Sequence, residues 1–240
     1  MSQFLSIEID KILFLDIETV PLYPTFDDVP DIEKDLWSKK ALKMVEPGQE
    51  VKDTYKKAGI YSEFGKIICI SVGIVSKTAG KNTLRLKSYW GHDEISLLKD
   101  FNEMVEKHFN TDRHYLCGHN GKEFDFPFIA RRSLIHGLSI PACLDTRGMK
   151  PWEVRHLDTL ELWRFGDFKS YSSLQTLTHI FGIPSPKDDI AGDQVCEVYW
   201  KEKNLERIVT YCQKDVVAMI QLFLKYRREE LIDEKNIIIT

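Results

Sequence analysis

The sequence predicts one α/β domain over residues 1–240, built on a five-stranded mixed sheet flanked by helices. Three observations lead there. Ile12, Leu13, Phe14 and Leu15 form an unbroken apolar run, as in a strand buried on both faces. Strand-like segments come first and then alternate with helical ones in the order βββαβαβα, the pattern of an α/β fold. Residues 205 to about 228 carry an apolar stripe at helical spacing: Leu205, Ile208, Val209, Cys212, Val216, Met219, Ile220 and Phe223.

After the first strand, residues 22–61 are polar and charged and read as an insertion beside the domain core of about 10–227. A helix is expected over 31–45, and its lysines, with Lys52, Lys56 and Lys57, read as a solvated face. Residues 67–75 are a second strand. The turn Lys77, Thr78, Ala79, Gly80, Lys81, Asn82 leads to 83–90, whose alternation marks a half-exposed outer strand. Asp93 is an N-cap candidate for a helix to Phe109. Residues 115–118 are a short strand that ends in the His119-Asn120-Gly121 turn. A helix follows from Asp125 or Phe126 to His136, with Pro127 in its first turn and Gly137 as its stop. Residues 156–160 are expected as the fifth strand. Tyr171-Ser172-Ser173 caps a helix through Phe181, Asp193 begins another, and Asn204 caps the last.

Composition narrows the class. With 43% apolar and 29% charged residues the chain resembles an ordinary globular protein. No apolar run approaches the ~20 residues needed to span a bilayer, so no membrane partner is expected. The first residues lack a basic segment and a cleavage site, so a secretory signal is not expected either. Five cysteines, none in a C-x-x-C pair, fit reduced thiols in a cytoplasmic protein. A net charge of −4 argues against coating duplex DNA and leaves room for a local grip on a short strand.

Three constellations carry chemistry. Asp16 and Glu18 follow the first apolar run, and strand residues two apart share a face. Their like charges repel and burial worsens the cost, so a hard divalent cation would suit them; the plainer alternative is a polar turn closed by Pro21. Tyr211 and Asp215 stand one helical turn apart on the flank of the last stripe, where they could also be a half-buried phenol and a surface ion pair. His119, Asn120, Phe124 and Asp125 lie at a strand–helix junction, where Asp125 could serve only as a cap.

Together these pieces resemble the DEDD superfamily of 3′–5′ exonucleases, in the subgroup with a tyrosine in its third motif. The D-x-E motif matches Asp16-Ile17-Glu18, the second matches His119-Asn120 with Phe124-Asp125, and Y-x-x-x-D matches Tyr211 to Asp215. The likeness is strongest to the proofreading exonuclease domain of family B DNA polymerases, and it extends to Leu157-Asp158-Thr159-Leu160-Glu161-Leu162. The resemblance implies an RNase H-like fold and two divalent cations, Mg²⁺ or Mn²⁺, held ~3.5–4 Å apart by Asp16, Glu18, Asp125 and Asp215. It implies that Asp16 bridges both ions, that Glu18 and Asp215 complete the nucleophile-side ion, and that Asp125 holds the other. Tyr211 would orient the attacking water, and Thr19, Val20, Asn120 and Phe124 would contact the terminal nucleotides, Phe124 by stacking. Asp158 reads as a supporting acid, and Asp188 and Asp189 as loop or cap residues.

The expected activity is removal of 5′-mononucleotides from the 3′ end of a single strand, with DNA favoured by the polymerase likeness and RNA the alternative. Repair or processing is expected rather than proofreading within the same chain. A non-catalytic RNase H-like binding module ranks lower, because all four acids and the tyrosine are present. An aspartyl-phosphate phosphatase needs D-x-D, and this chain has D-x-E.

Overall fold

The computed structural model describes residues 3–78, 80–184 and 190–240; Ala79, Asp188 and Asp189 lie outside them. Strand β1 (Ile12–Pro21) sits inside a six-stranded sheet. A short helix, α1 (Asp31–Ala41), intervenes before β2 (Gly65–Thr78) and β3 (Lys81–Trp90). Helix α2 (Glu94–His108), strand β4 (Tyr115–Gly118), helix α3 (Asp125–Ile135) and strand β5 (Leu157–Asp158) follow. Next come α4 (Thr159–Arg164), α5 (Leu174–Ile180) and α6 (Val195–Glu197), the last running into a π-helical turn, Val198–Glu202. Helix α7 (Leu205–Arg227) and strand β6 (Ile237–Ile239) close the chain. The sheet order is β5-β4-β1-β2-β3-β6, antiparallel at β1–β2 and β2–β3 and parallel elsewhere.

The α/β class holds, with corrections to the elements. The sheet has six strands rather than five, because Ile237, Ile238 and Ile239 pair with Leu84, Arg85 and Leu86 of β3. Three isoleucines after a polar stretch give too short a run to announce a strand. The fifth strand keeps only Leu157 and Asp158, since the Asp158 carboxylate accepts from the amides of Leu160 and Glu161 and starts a helix at once. The helix expected over 31–45 stops at Ala41, ahead of Pro47 and a left-handed Gly48. Asp193 lies in a 3₁₀ turn, and α6 begins two residues later. The expected caps Asp93, Ser173 and Asn204 all accept hydrogen bonds from their own helices. Residues 22–61 pack around Trp37, which meets Tyr55, Tyr61 and Phe64 edge-on or tilted.

Two cores flank the sheet. On one face Leu13, Leu15 and Ile17 of β1 pack with Leu98 and Phe101 of α2 and Ile129 of α3. On the other, Ile12 and Phe14 pack under Ile220 and Phe223 of α7, while Val20 meets Leu205 and Ile208 nearer that helix's start. Helix α7 lies unusually close to β2. A Cβ at Gly73 would come within 2.9 Å of Val216 Cγ1 and 2.8 Å of Ile220 Cδ1.

A charged network pins α2 and α3 to the sheet. The buried Glu94 accepts from the Ile67 amide at 2.7 Å and from Arg132 through both oxygens, at 2.9 and 2.6 Å. His136 adds a 2.7 Å contact, and Arg132 also donates to the Ser62 carbonyl. Removing one partner of a buried pair strands the other charge. Arg132→Met is therefore expected to lower folding stability by about 3–5 kcal/mol in urea titration, whereas Arg147→Met, in an exposed pair with Asp145, is expected to be nearly neutral.

Candidate active site

Along β1, the face toward α7 reads Ile12, Phe14, Asp16, Glu18, Val20. Apolar residues at both ends pack under α7, so the two carboxylates between them are held beneath the helix. The period of two survives through Glu18, and only then does the β1–β2 register slip, Glu18 facing Cys69 and Thr19 facing Ile67. Thr19 and Val20 thus lie in a paired strand, opposite a bulge at Ile68 of β2, rather than in the turn expected of them. Val20 is fully buried with Ile68, Ile190 and Ile208, so its side chain belongs to the core; Thr19 is half-buried.

A second element closes over the opposite edge of β1. The parallel ladder to β4 ends at Phe14–Cys117, beyond which β1 has no strand partner on that side among the described residues. The freed amide of Ile17 donates to Asp125 Oδ1 at 3.0 Å, at the first residue of α3. Asp125 is therefore not the cap of its own helix; Phe124 holds that position. The chain reaches this point through a tight turn in which Asn120 is left-handed (φ 61°) and Gly118 and Gly121 press together. A Cβ on Gly118 would lie 2.8 Å from Gly121 Cα, so that position admits no side chain unless the turn shifts, and one on Gly121 would sit tightly at 3.0 Å from Gly118 Cα. Asp158 fastens the turn by accepting from the amides of Asn120 and Lys122. His119 bridges Thr159 Oγ1 at 2.9 Å and the Ser172 carbonyl at 3.0 Å. Phe124 is half-buried against Phe128.

Helix α7 completes the arrangement. Tyr211 and Asp215 stand one turn apart, half-buried, with the Asp215 charge acting on the phenol. Both line a cavity of about 1170 Å³ shared with Ser173, Thr176, His179 and Gly192. Between them on the helix, Cys212 donates to Asp16, its sulfur 3.4 Å from the carbonyl oxygen and from Oδ2. Asp16, Glu18 and Cys212 place ligand atoms within 4.8 Å of one another. Sequence reasoning set Cys212 aside as a core thiol; its position one residue after Tyr211 on the buried stripe was the available signal.

The electrostatics show what the fold has assembled. Burial, then the charges of Asp125, Glu18 and Asp215, raise the Asp16 carboxyl well above its ordinary value, against the opposing hydrogen bond from Cys212. Glu18 is raised by burial and then chiefly by Asp215. Burial pushes Asp125 up to about 7, despite the Ile17 amide. Tyr211 is raised by burial and by Asp215, Glu18 and Asp16, so it remains a phenol. Burial likewise keeps Cys212 a thiol. Four carboxylates from three chain segments bear on one another, with oxygen donors that suit hard divalent cations.

Comparison with known proteins follows the same line. Residues 60–236 match a family described as predicted 3′–5′ exonuclease related to the exonuclease domain of PolB. That range includes Asp125, Tyr211 and Asp215 and leaves Asp16 and Glu18 outside. The fold is similar to the family B DNA polymerase from the hyperthermophilic archaeon Pyrobaculum calidifontis, with a TM-score of 0.55 and 16% identity, covering 89% of this chain. The chain spans about a quarter (24%) of that polymerase. The RNase domain of yeast Pop2 aligns at a TM-score of 0.38 and 11% identity, over 94% of this chain and 87% of that one. The fold is RNase H-like. Among the described residues no helix is long and apolar enough to cross a membrane.

The raised carboxyls make a prediction for the metal-free protein. Folded Asp125 holds its proton up to about 7, against an ordinary 3.8, so its contribution is present below about pH 4 and lost as pH rises through 7. Asp125→Asn keeps an oxygen for the Ile17 amide and removes the charge. In urea titrations with a chelator, the variant is expected to match wild type near pH 4 and to exceed it at pH 8 by on the order of 2–4 kcal/mol.

Proposed function

This chain belongs to the family of predicted 3′–5′ exonucleases related to the exonuclease domain of PolB, and on that premise we propose that it hydrolyses single-stranded DNA from the 3′ end, releasing 5′-mononucleotides. The supporting observation is the meeting of Asp16, Glu18, Asp125 and Asp215, from three segments, each of the first three held above its ordinary pKa by burial and by the others. Such crowding destabilises the protein unless positive charge is placed among the acids.

Asp16, Glu18, Asp125 and Asp215 would hold two divalent cations, Mg²⁺ or Mn²⁺. When bound, the cations acidify the attacking water and stabilise the charge on the attacking and leaving oxygens. The chain's own contribution is positional. Asp125 is fixed by the Ile17 amide, and Asp16 is oriented by the Cys212 thiol. Tyr211 keeps its proton and sits beside Asp215 at the cavity wall, where a phenol can align a water for attack on phosphorus. The bond from phosphorus to the 3′ oxygen of the penultimate nucleotide breaks, and that oxygen leaves as the new 3′ hydroxyl. Asn120 and Phe124, on the turn beside Asp125, and Thr19, on β1 opposite the β2 bulge, are the proposed contacts for the terminal nucleotides, Phe124 by stacking. The four acids and Tyr211 support a tyrosine-type enzyme on this reading.

A degradation assay with 5′-labelled oligo-dT and oligo-rU, in Mg²⁺, Mn²⁺ or chelator, tests the proposal. Stepwise shortening from the 3′ end is expected with metal and none with chelator. Asp16→Ala and Asp215→Ala are expected to fold and to lose activity; degradation by Asp16→Ala at the wild-type rate would overturn the assignment. Tyr211→Phe is expected to slow single-turnover hydrolysis by about 10²–10⁴-fold while metal still raises its melting temperature.

A further inference from the structure

Between α4 and α5 the chain presents Phe165, Phe168 and Tyr171 to solvent, 93%, 79% and 66% exposed. Neither packing nor backbone preference explains these residues. Phe165 is left-handed (φ 46°), a conformation that disfavours a side chain with a Cβ and is followed at once by a left-handed Gly166. A large ring that is both strained and unburied contributes nothing to folding, and three exposed rings within seven residues make this segment a candidate binding surface.

The segment is held in shape. Arg164 donates to the Ser170 carbonyl at 2.8 Å, and the amides of Asp167 and Ser170 close turns onto Arg164 and Asp167. Its end is tied to the active-site turn, since His119 contacts the Ser172 carbonyl, and Arg164 faces Glu123 of the same turn at 3.8 Å. The next residue, Ser173, lines the cavity that holds Tyr211 and Asp215. The three rings are therefore carried on a held segment whose end is anchored at the wall of the cavity.

We propose that Phe165, Phe168 and Tyr171 form a stacking ledge for the bases of the single strand behind the terminal nucleotide, with the exposed Lys169 beside its phosphates. This rests on the exonuclease reading above. Rings spaced three residues apart, with polar residues and a glycine between them, suit successive bases, each of which offers a π-face whatever its identity. The net charge of −4 makes stacking, rather than general phosphate attraction, the source of grip on the strand. A protein that removes nucleotides one at a time needs such a hold, because the scissile bond alone offers little surface.

The test combines two readouts. Equilibrium binding of a fluorescein-labelled dT20 in chelator is compared with kinetics in Mn²⁺ on dT20 and on the p-nitrophenyl ester of thymidine 5′-monophosphate. Phe165→Gly, Phe168→Ala and Tyr171→Ala are each expected to weaken dT20 binding and raise its KM about tenfold or more, with kcat and ester hydrolysis unchanged. Tyr171→Trp is expected to retain binding. Phe165→Gly relieves the left-handed strain, so its loss of binding cannot come from unfolding, and urea titration checks that. If wild type degrades dT20 and the triple variant binds and degrades it equally well, the ledge is overturned and the exonuclease reading stands. If wild type binds dT20 through the rings yet cleaves neither substrate, the exonuclease reading fails and the ledge stands. A wild type that neither binds nor cleaves dT20 overturns both.

Discussion

Asp16 and Glu18 are trapped between a central strand and the helix that should seal it, and much of the molecule can be understood from that confinement. Everywhere else along β1 the face toward α7 is apolar, and Phe14 meets Phe223 edge-on at 5.2 Å. The same packing that stabilises the fold therefore strips water from two acids and brings a third, Asp215, down beside them. Hydrophobic burial supplies the force, and the carboxylates oppose it. A site assembled this way is rigid before any ligand arrives, which is the condition for electrostatic catalysis.

The backbone accounts for the fourth acid. A strand flanked on both sides would satisfy every amide through its neighbours, but β4 turns away after Gly118 and leaves the Ile17 amide without a ladder partner. A buried amide must be paired, and Asp125 pairs it. One short strand thus creates both the opening in the sheet and the need that draws a carboxylate into it. Asp158 and His119 then hold the intervening turn from behind.

How much of this was legible in the sequence depended on whether the signal was local. The paired acids, the Tyr211–Asp215 spacing and the caps at Asp93, Ser173 and Asn204 follow from periodicity and cap chemistry, which act within a few residues. The convergence of the three segments could be inferred only through a family resemblance. What could not be read depends on tertiary partners. The β6 strand forms only because β3 offers an edge, and the bulge after Glu18 is a property of a pair of strands. The Glu94–Arg132–His136 network joins residues up to 42 apart in sequence, and Cys212 becomes a neighbour of Asp16 across 196 positions. The exposure of Phe165, Phe168 and Tyr171 likewise depends on what packs against them, which no local pattern announces.

Gly73 has a consequence of its own. Val216, which a Cβ at Gly73 would strike, is branched at its own Cβ and cannot swing aside, and it directly follows Asp215. Any methyl at position 73 would act as a wedge under the helix, lifting the turn that carries Asp215 by a fraction of an ångström and prising it away from the acids on β1. Two residues along the second strand from the partner of Asp16, a missing atom sets how closely the helix carrying Asp215 approaches the acids on β1.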